Sequence, residues 1–133
     1  MIKINVIGEF LIKAKLPSLN DYINMCRGSK YKANNFKSEV EELIGWAIRQ
    51  AQTKGSLKPT DKPIIVYFEW HEKTKRRDAD NIASAKKYIL DAMQKCGIIP
   101  NDNRRYVKGF YDVIIDDTED FVLVKLLEKE KHQ

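Results

Sequence analysis

Between Pro63 and Cys96 the apolar residues change their spacing from nearly continuous to every third or fourth position, with only a short charged stretch in between. Ile64, Ile65, Val66, Tyr67, Phe68 and Trp70 read as a buried strand over Pro63–His71. Ile82, Ala85, Ile89, Met93 and Cys96, with Ala92 beside them, fall on one helical stripe. Either Asp80 or Asn81 suits the N-cap of that helix, Gly97 is placed to close it, and Pro100 keeps it from resuming. A strand running straight into an amphipathic helix predicts a sheet with helices laid against it.

The charged stretch is Arg76-Arg77-Asp78-Ala79-Asp80-Asn81. Asp78 and Asp80 are two apart at what reads as the extended end of the strand, so their side chains are expected on one side. Two like charges so close repel unless a cation lies between them. A third carboxylate, Asp102, stands between two asparagines just past the helix. A helix over Asn81–Cys96 is roughly 24 Å long, so Asp102 meets the other two only if the following strand carries it back or a symmetric partner supplies it. Taken singly, Asp-x-Asp-Asn is an ordinary cap and Asn-Asp-Asn an ordinary turn. Together they combine three carboxylates, a lysine pair inside the helix (Lys86, Lys87) and arginines on both flanks, whereas capping needs one acceptor oxygen.

The rest of the chain supplies more strand and helix patterns. Ile2 to Leu16 alternate well enough for a strand with a bulge or turn near Gly8-Glu9, and Pro17-Ser18-Leu19-Asn20 breaks it. From there to Asn34 no period holds, so a long, partly ordered loop is expected. Phe36, Val40, Leu43, Ile44, Ala47, Ile48 and Ala51 predict a helix over Asn35–Thr53 with Trp46 on its flank. Tyr106–Ile115 and Phe121–Leu127 read as strands of an antiparallel hairpin across the acidic turn Asp116–Asp120, and the tail from Glu128 should fray. That turn lacks EF-hand spacing and reads as a solvated loop. The expectation is one α+β domain over residues 1–133: a two-layer structure with a mixed or antiparallel sheet of about four strands under two main helices.

At 133 residues, 43% hydrophobic and 32% charged, the composition is that of a soluble globular chain with a core of its own. No stretch reads as a signal peptide or as the roughly 18 apolar residues of a membrane span, so a cytoplasmic protein is expected. Cys26 and Cys96 follow no CxxC spacing and suit a reducing compartment. His71 and His132 make no zinc spacing with them; His71 ends a strand close to the acidic stretch, and His132 lies in the charged tail. The net charge of +5 favours a polyanionic partner. Clustering is more telling: Lys73, Lys75, Arg76 and Arg77 precede the aspartates, Arg104, Arg105 and Lys108 follow Asp102, and Arg27, Lys30, Lys32 and Lys37 lie in the first connection.

Carboxylate oxygens are hard ligands, and a small set of them suits Mg²⁺ or Mn²⁺, which bind through few carboxylates plus water and phosphate. Such an ion clamps phosphoryl oxygens and acidifies bound water, and a nearby lysine stabilises the charge that develops. On a helical wheel Lys87 shares the polar side with Asp80 and Asp91, whereas Lys86 borders the apolar stripe. Lys87 is the better candidate and Lys86 remains one. For Lys87 and Asp91 the plain alternative is an i,i+4 ion pair.

Three runs, Arg77-Asp78-Ala79-Asp80-Asn81, Lys86-Lys87-Tyr88-Ile89-Leu90-Asp91-Ala92-Met93 and Gly97-Ile98-Ile99-Pro100-Asn101-Asp102, resemble the RusA family of Holliday junction resolvases, often encoded by phages and prophages. Leu16-Pro17-Ser18-Leu19-Asn20-Asp21-Tyr22 is similar to that family's opening strand and loop. The resemblance implies a homodimeric, Mg²⁺-dependent endonuclease (Mn²⁺ serving as well) of DNA recombination and repair. Such an enzyme binds four-way junctions and nicks them symmetrically. It places the essential acids on Asp78, Asp80 and Asp102, with a catalytic lysine in the helix. That lysine maps to Lys87 counting back from Asp91 but to Ser84 counting forward from Asp80. Asn101-Asp102 also stands where two adjacent acids are common. Junction binding assigns phosphate contacts to Lys75, Arg76, Arg77, Arg104, Arg105, Arg27, Lys30, Lys32 and Asn20, with Tyr22 and Tyr31 as candidate stacking surfaces and Phe36 as a further one for which core packing is the preferred role. The competing reading is a non-catalytic basic nucleic-acid-binding module of phage origin, in which the aspartates only cap and neutralise.

Overall fold

The computed structural model describes residues 3–130, with side chains from residue 4 to residue 128; His132 lies outside this range. Eight elements follow one another: β1 (Lys3–Ile12), α1 (Leu19–Gly28), α2 (Lys30–Lys54), β2 (Ile64–Glu72), α3 (Ala79–Ala83), α4 (Lys86–Lys95), β3 (Val107–Asp116) and β4 (Phe121–Glu130). The four strands form one mixed sheet in the order β1-β4-β2-β3, so the expected α+β two-layer fold is what forms. Among the described residues no helix is long and apolar enough to cross a membrane.

β2 is the organising strand. Its alternate residues Ile64, Val66, Phe68, Trp70 and Glu72 are buried on one face, and it pairs on both edges, parallel with β3 and antiparallel with β4. Parallel neighbours need a crossover, and α3 with α4 provides it across the helix-covered face. There Ile44 and Ile48 of α2, Tyr88, Ile89 and Met93 of α4, and Phe10, Ile12, Val66, Phe68, Trp70 and Val124 of the sheet make one core. Each such side chain contributes roughly 1.5–3 kcal/mol when fully buried.

Several sequence expectations need correction. β3 and β4 are not a hairpin, because β2 lies between them. Their connection arches over the end of β2: the Asp117 amide donates to the Glu72 carbonyl at 3.0 Å, and the Lys73 amide donates to Asp120 Oδ1 at 2.8 Å. The acidic turn therefore caps the sheet rather than standing free. The tail does not fray at Glu128, since β4 continues to Glu130 against β1. The expected loop from Pro17 to Asn34 is helical, with α1 and the first turn of α2 separated only by Ser29. Ser18 and Asp21 cap α1 reciprocally, a signature present in Ser18-Leu19-Asn20-Asp21, and the Ser29 hydroxyl caps α2.

The helix expected over Asn81–Cys96 is two helices joined by a tight turn. The Ser84 hydroxyl donates to the Asn81 carbonyl at 2.6 Å, and the Ala85, Lys87 and Tyr88 amides reach back three residues rather than four. The closure at Gly97 is as expected. Gly97 takes φ +74°, its amide donates to the Gln94 carbonyl, and the Ile98 amide donates to Met93. The expected bulge in β1 falls between Val6 and Gly8, and a Cβ on Gly8 would stand 3.0 Å from Leu57.

Candidate metal and nucleic-acid site

β2 ends at Glu72, and Lys73–Arg77 form an irregular loop leading into α3. Asp78 is the residue that caps α3 by position, with extended backbone (φ −72°, ψ 154°), and Asp80 lies in the helix's first turn. The two aspartates are thus not on one extended strand end, and neither Asp80 nor Asn81 is the N-cap. The Asp78 carboxylate makes no capping hydrogen bond. Among the described residues, Asp80 Oδ1 accepts only the neighbouring Asn81 amide, at 3.0 Å. Both aspartates are exposed, and among the described residues neither forms an ion pair.

Two anchors hold this segment. The first is Glu72, whose side chain is only 5% exposed: Arg77 Nε and Nη2 each lie 3.0 Å from Glu72 Oε1, and Nη1 donates to the Leu16 carbonyl at 3.1 Å. Arg77 is therefore engaged within the protein, unlike the exposed Lys75 and Arg76 beside it. The second anchor is the segment Leu16–Asn20. The Leu19 amide donates to Ser84 Oγ at 3.1 Å, the Asn20 amide group donates to Asn81 Oδ1 at 3.0 Å, and the buried Tyr88 hydroxyl donates to the Ser18 carbonyl at 3.4 Å. Asn20 is thus held at the acidic motif. Burial pushes the Tyr88 hydroxyl up to about 12.

The chain after α4 does turn back along the helix. Asn101 and Asn103 each accept an amide two residues on, tightening the loop, and Asp102 Oδ2 comes to 3.0 Å from Lys87 Nζ. The same ammonium lies 3.0 Å from Asp91 Oδ1. Bonds from Asp102 and then Asp91 hold the Lys87 ammonium above the ordinary lysine range, so it stays protonated. Lys86 faces elsewhere: its Nζ lies 2.5 Å from Asp112 Oδ2 and 4.7 Å from the centre of the Phe110 ring, and Asp112 also accepts Trp70 Nε1 at 2.9 Å. Ser84, the alternative position for the lysine, is instead a hydrogen-bonding hub.

The structure thus brings Lys87, Asp91 and Asp102 together and sets Asp78 at the N-cap and Asp80 in the first turn of α3. Among the described residues no set of three or more histidine, cysteine or carboxylate side chains is placed to hold a metal ion. In ligand type, Asp78 and Asp80 fit Mg²⁺, which takes one or two carboxylates and completes its shell with water and phosphate. Asp102 is occupied by Lys87.

Of the remaining basic candidates, Arg104 and Arg105 are exposed beyond Asp102, with the Arg105 guanidinium 5.5 Å from the Tyr106 ring. Arg27 lies in the last turn of α1, and Lys30 and Lys32 open α2. Tyr22 and Phe36 stack on each other at 6.5 Å and pack against the core, while Tyr31 is 76% exposed. His71 points to the face away from the helices, between Glu69 at 2.5 Å and Asp117 at 2.7 Å, its ring stacked on Phe121. It takes no part in the acidic site. Cys26 and Cys96 form no disulfide.

Sequence reasoning missed Glu72, Ser84 and Tyr88 as supports. Glu72 carried a signal, a carboxylate on the apolar face of a buried strand; the other two carried none. No protein-family model matches this chain, and no curated protein matches it either.

Proposed function

We propose that this protein is a divalent-metal-dependent endonuclease of the RusA type, acting on four-way DNA junctions by paired nicks during recombination and repair. The observation that carries the reading is the pair Asp78 and Asp80: exposed, without an ion pair among the described residues, one in a cap position that its carboxylate does not serve, and preceded by the exposed Lys75 and Arg76. In this reading the two carboxylates hold Mg²⁺, or Mn²⁺ in its place, which supplies an activated water and a clamp on the phosphoryl oxygens. Lys75, Arg76, Arg104 and Arg105 bind flanking phosphates, and the protonated Lys87 offsets charge developing on the scissile group. Asp102 and Asp91 hold Lys87 in place, and Asp102 would be free to serve as a metal ligand only without that ion pair.

Two symmetric nicks require two sites, and a homodimer supplies them. The sheet face away from the helices supports that arrangement, for Val6, Leu11, Tyr111 and Val113 remain exposed on it beside Ile65, Tyr67 and Leu123. Solvated sheet faces are ordinarily polar.

One observation favours the second reading, a basic binding module: Lys87 already neutralises Asp91 and Asp102, and no three-carboxylate cluster forms among the described residues. The test is cleavage of a synthetic four-way junction against linear duplex, with Mg²⁺ and with chelator, for the parent protein and Asp80→Asn. Paired nicks in the junction alone, lost with chelator and with the substitution, are expected. Tight junction binding with no nick by the parent selects the binding module.

A further inference from the structure

The segment expected as a loop is a helical hairpin. Tyr22 and Phe36, each seven residues from Ser29, stack together, so α1 and α2 fold back on one another and Gly28–Lys32 form the tip. From Tyr22 to Ser38 the chain carries Arg27, Lys30, Lys32 and Lys37 and not one carboxylate. Of these, Arg27, Lys30 and Lys32 are exposed at the tip with no ion pair among the described residues. Between the two lysines stands Tyr31, 76% exposed, the most exposed large hydrophobic residue among those described. An aromatic ring this exposed, between two lysines in the sequence and with Arg27 also at the tip, adds little to packing, but it matches a nucleic-acid strand, whose phosphates take the cations and whose bases stack on the ring.

The hairpin is also tied to the acidic motif at its other end through Asn20 and Asn81. From Asn20 to Gly28 the axis of α1 advances roughly 12 Å, at 1.5 Å per residue. At 3.4 Å per nucleotide on one strand, that is about three to four nucleotides. We infer that the α1–α2 tip is a branch-point reader, in which Tyr31 stacks on an unpaired base of branched DNA while Arg27, Lys30 and Lys32 hold the adjoining phosphates. This rests on the nuclease reading for its choice of DNA, but not on cleavage or on a metal.

The experiment measures binding in chelator, so that nothing is cut. Full-length parent, Tyr31→Ala and Tyr31→Phe are titrated onto a four-way junction carrying 2-aminopurine at the branch point, and onto linear duplex. The expected result is a roughly tenfold loss of junction affinity for Tyr31→Ala, restored in Tyr31→Phe, with duplex binding unchanged. The 2-aminopurine emission should be quenched by the parent and by Tyr31→Phe but not by Tyr31→Ala. Equal junction binding and equal quenching by the parent and Tyr31→Ala overturn the inference and leave the nuclease reading standing. No junction binding by the parent overturns both, as does a parent that binds anionic phosphatidylserine vesicles in place of DNA.

Discussion

Replacing Arg77 by methionine separates its structural task from the DNA contact that the sequence suggests for it. Glu72 is 5% exposed and Arg77 19%, with two guanidinium nitrogens 3.0 Å from one carboxylate oxygen. Removing one partner of a buried pair costs about 3–5 kcal/mol, because the other charge is left dry and alone. The residual exposure of Arg77 places this pair at the lower end, about 3 kcal/mol. For a chain of 133 residues that corresponds to a fall in Tm of roughly 10 °C. Urea titration followed by tryptophan fluorescence reads the loss directly, since Trp70 is buried two positions before Glu72 on the same strand and face. The double variant Glu72→Leu, Arg77→Met should regain at least half the loss, as an apolar pair needs no counter-charge. A loss under about 1 kcal/mol, as for an exposed pair, refutes the reasoning, and so does a double variant whose loss is the sum of the singles. Below its unfolding transition Arg77→Met should keep the parent's salt dependence of DNA binding, whereas Arg76→Gln should lower that slope by about one ion.

Further outcomes follow from the shifted ionisations. Lys87 and Tyr88 both hold their protons more tightly when folded, so their stabilisation is complete below about pH 10 and drains as pH rises through the folded values; urea melts across that range should steepen this loss in the parent and flatten it in Tyr88→Phe. Glu69 is held below its ordinary 4.5, first by the Tyr67 hydroxyl and then by His71, and Asp117 below its ordinary 3.8 by His71. Their contribution is present above those values and is lost as pH falls through the lowered ones, so Tyr67→Phe should make the acid loss smaller in melts at descending pH. For cleavage, Lys87→Met should lower the nicking rate on the order of 10²-fold, and the parent's pH–rate curve should show no lysine limb below about pH 9, because a lysine held protonated titrates above that range.

What was legible in the sequence was local, and what was hidden depends on partners far along the chain. The strand at Ile64–Glu72 and the stripe of α4 bury a regular period, and Gly97 needs only its own positive φ, so each reads from a few residues. α1 buries no residue at all, so periodicity could not reveal it, although its capping box stood in plain view at Ser18 and Asp21. The break at Ser84 is only partly local, because the hydroxyl that bonds the Asn81 carbonyl also accepts the Leu19 amide 65 positions away. The hairpin expected for β3 and β4 failed for the same reason. Alternation says that a strand has two faces but not which strand lies beside it, and β2 takes the place between them.

The candidate site follows the same division, and the charge argument made from the sequence gains a sharper form in space. Neighbouring carboxylates require a cation between them. For Asp91 and Asp102 the protein supplies one, the Lys87 ammonium at 3.0 Å from each, and that pair is satisfied without any ligand. For Asp78 and Asp80 it supplies none among the described residues, although Arg77 is adjacent in sequence and is drawn away to the buried Glu72. A guanidinium beside these aspartates would neutralise them and compete with a metal or with a phosphate-bound cation. Burying Glu72 on the core face therefore does two things at once: it fixes the loop that presents Asp78, and it engages the positive charge that precedes Asp78 in the sequence. Glu72→Gln weakens that hold, so Arg77 becomes available to the aspartates and apparent Mg²⁺ affinity in the junction-cleavage assay should fall, while Glu72→Gln, Arg77→Met should restore it. An unchanged Mg²⁺ dependence in Glu72→Gln would show that the sequestered arginine is a matter of stability alone.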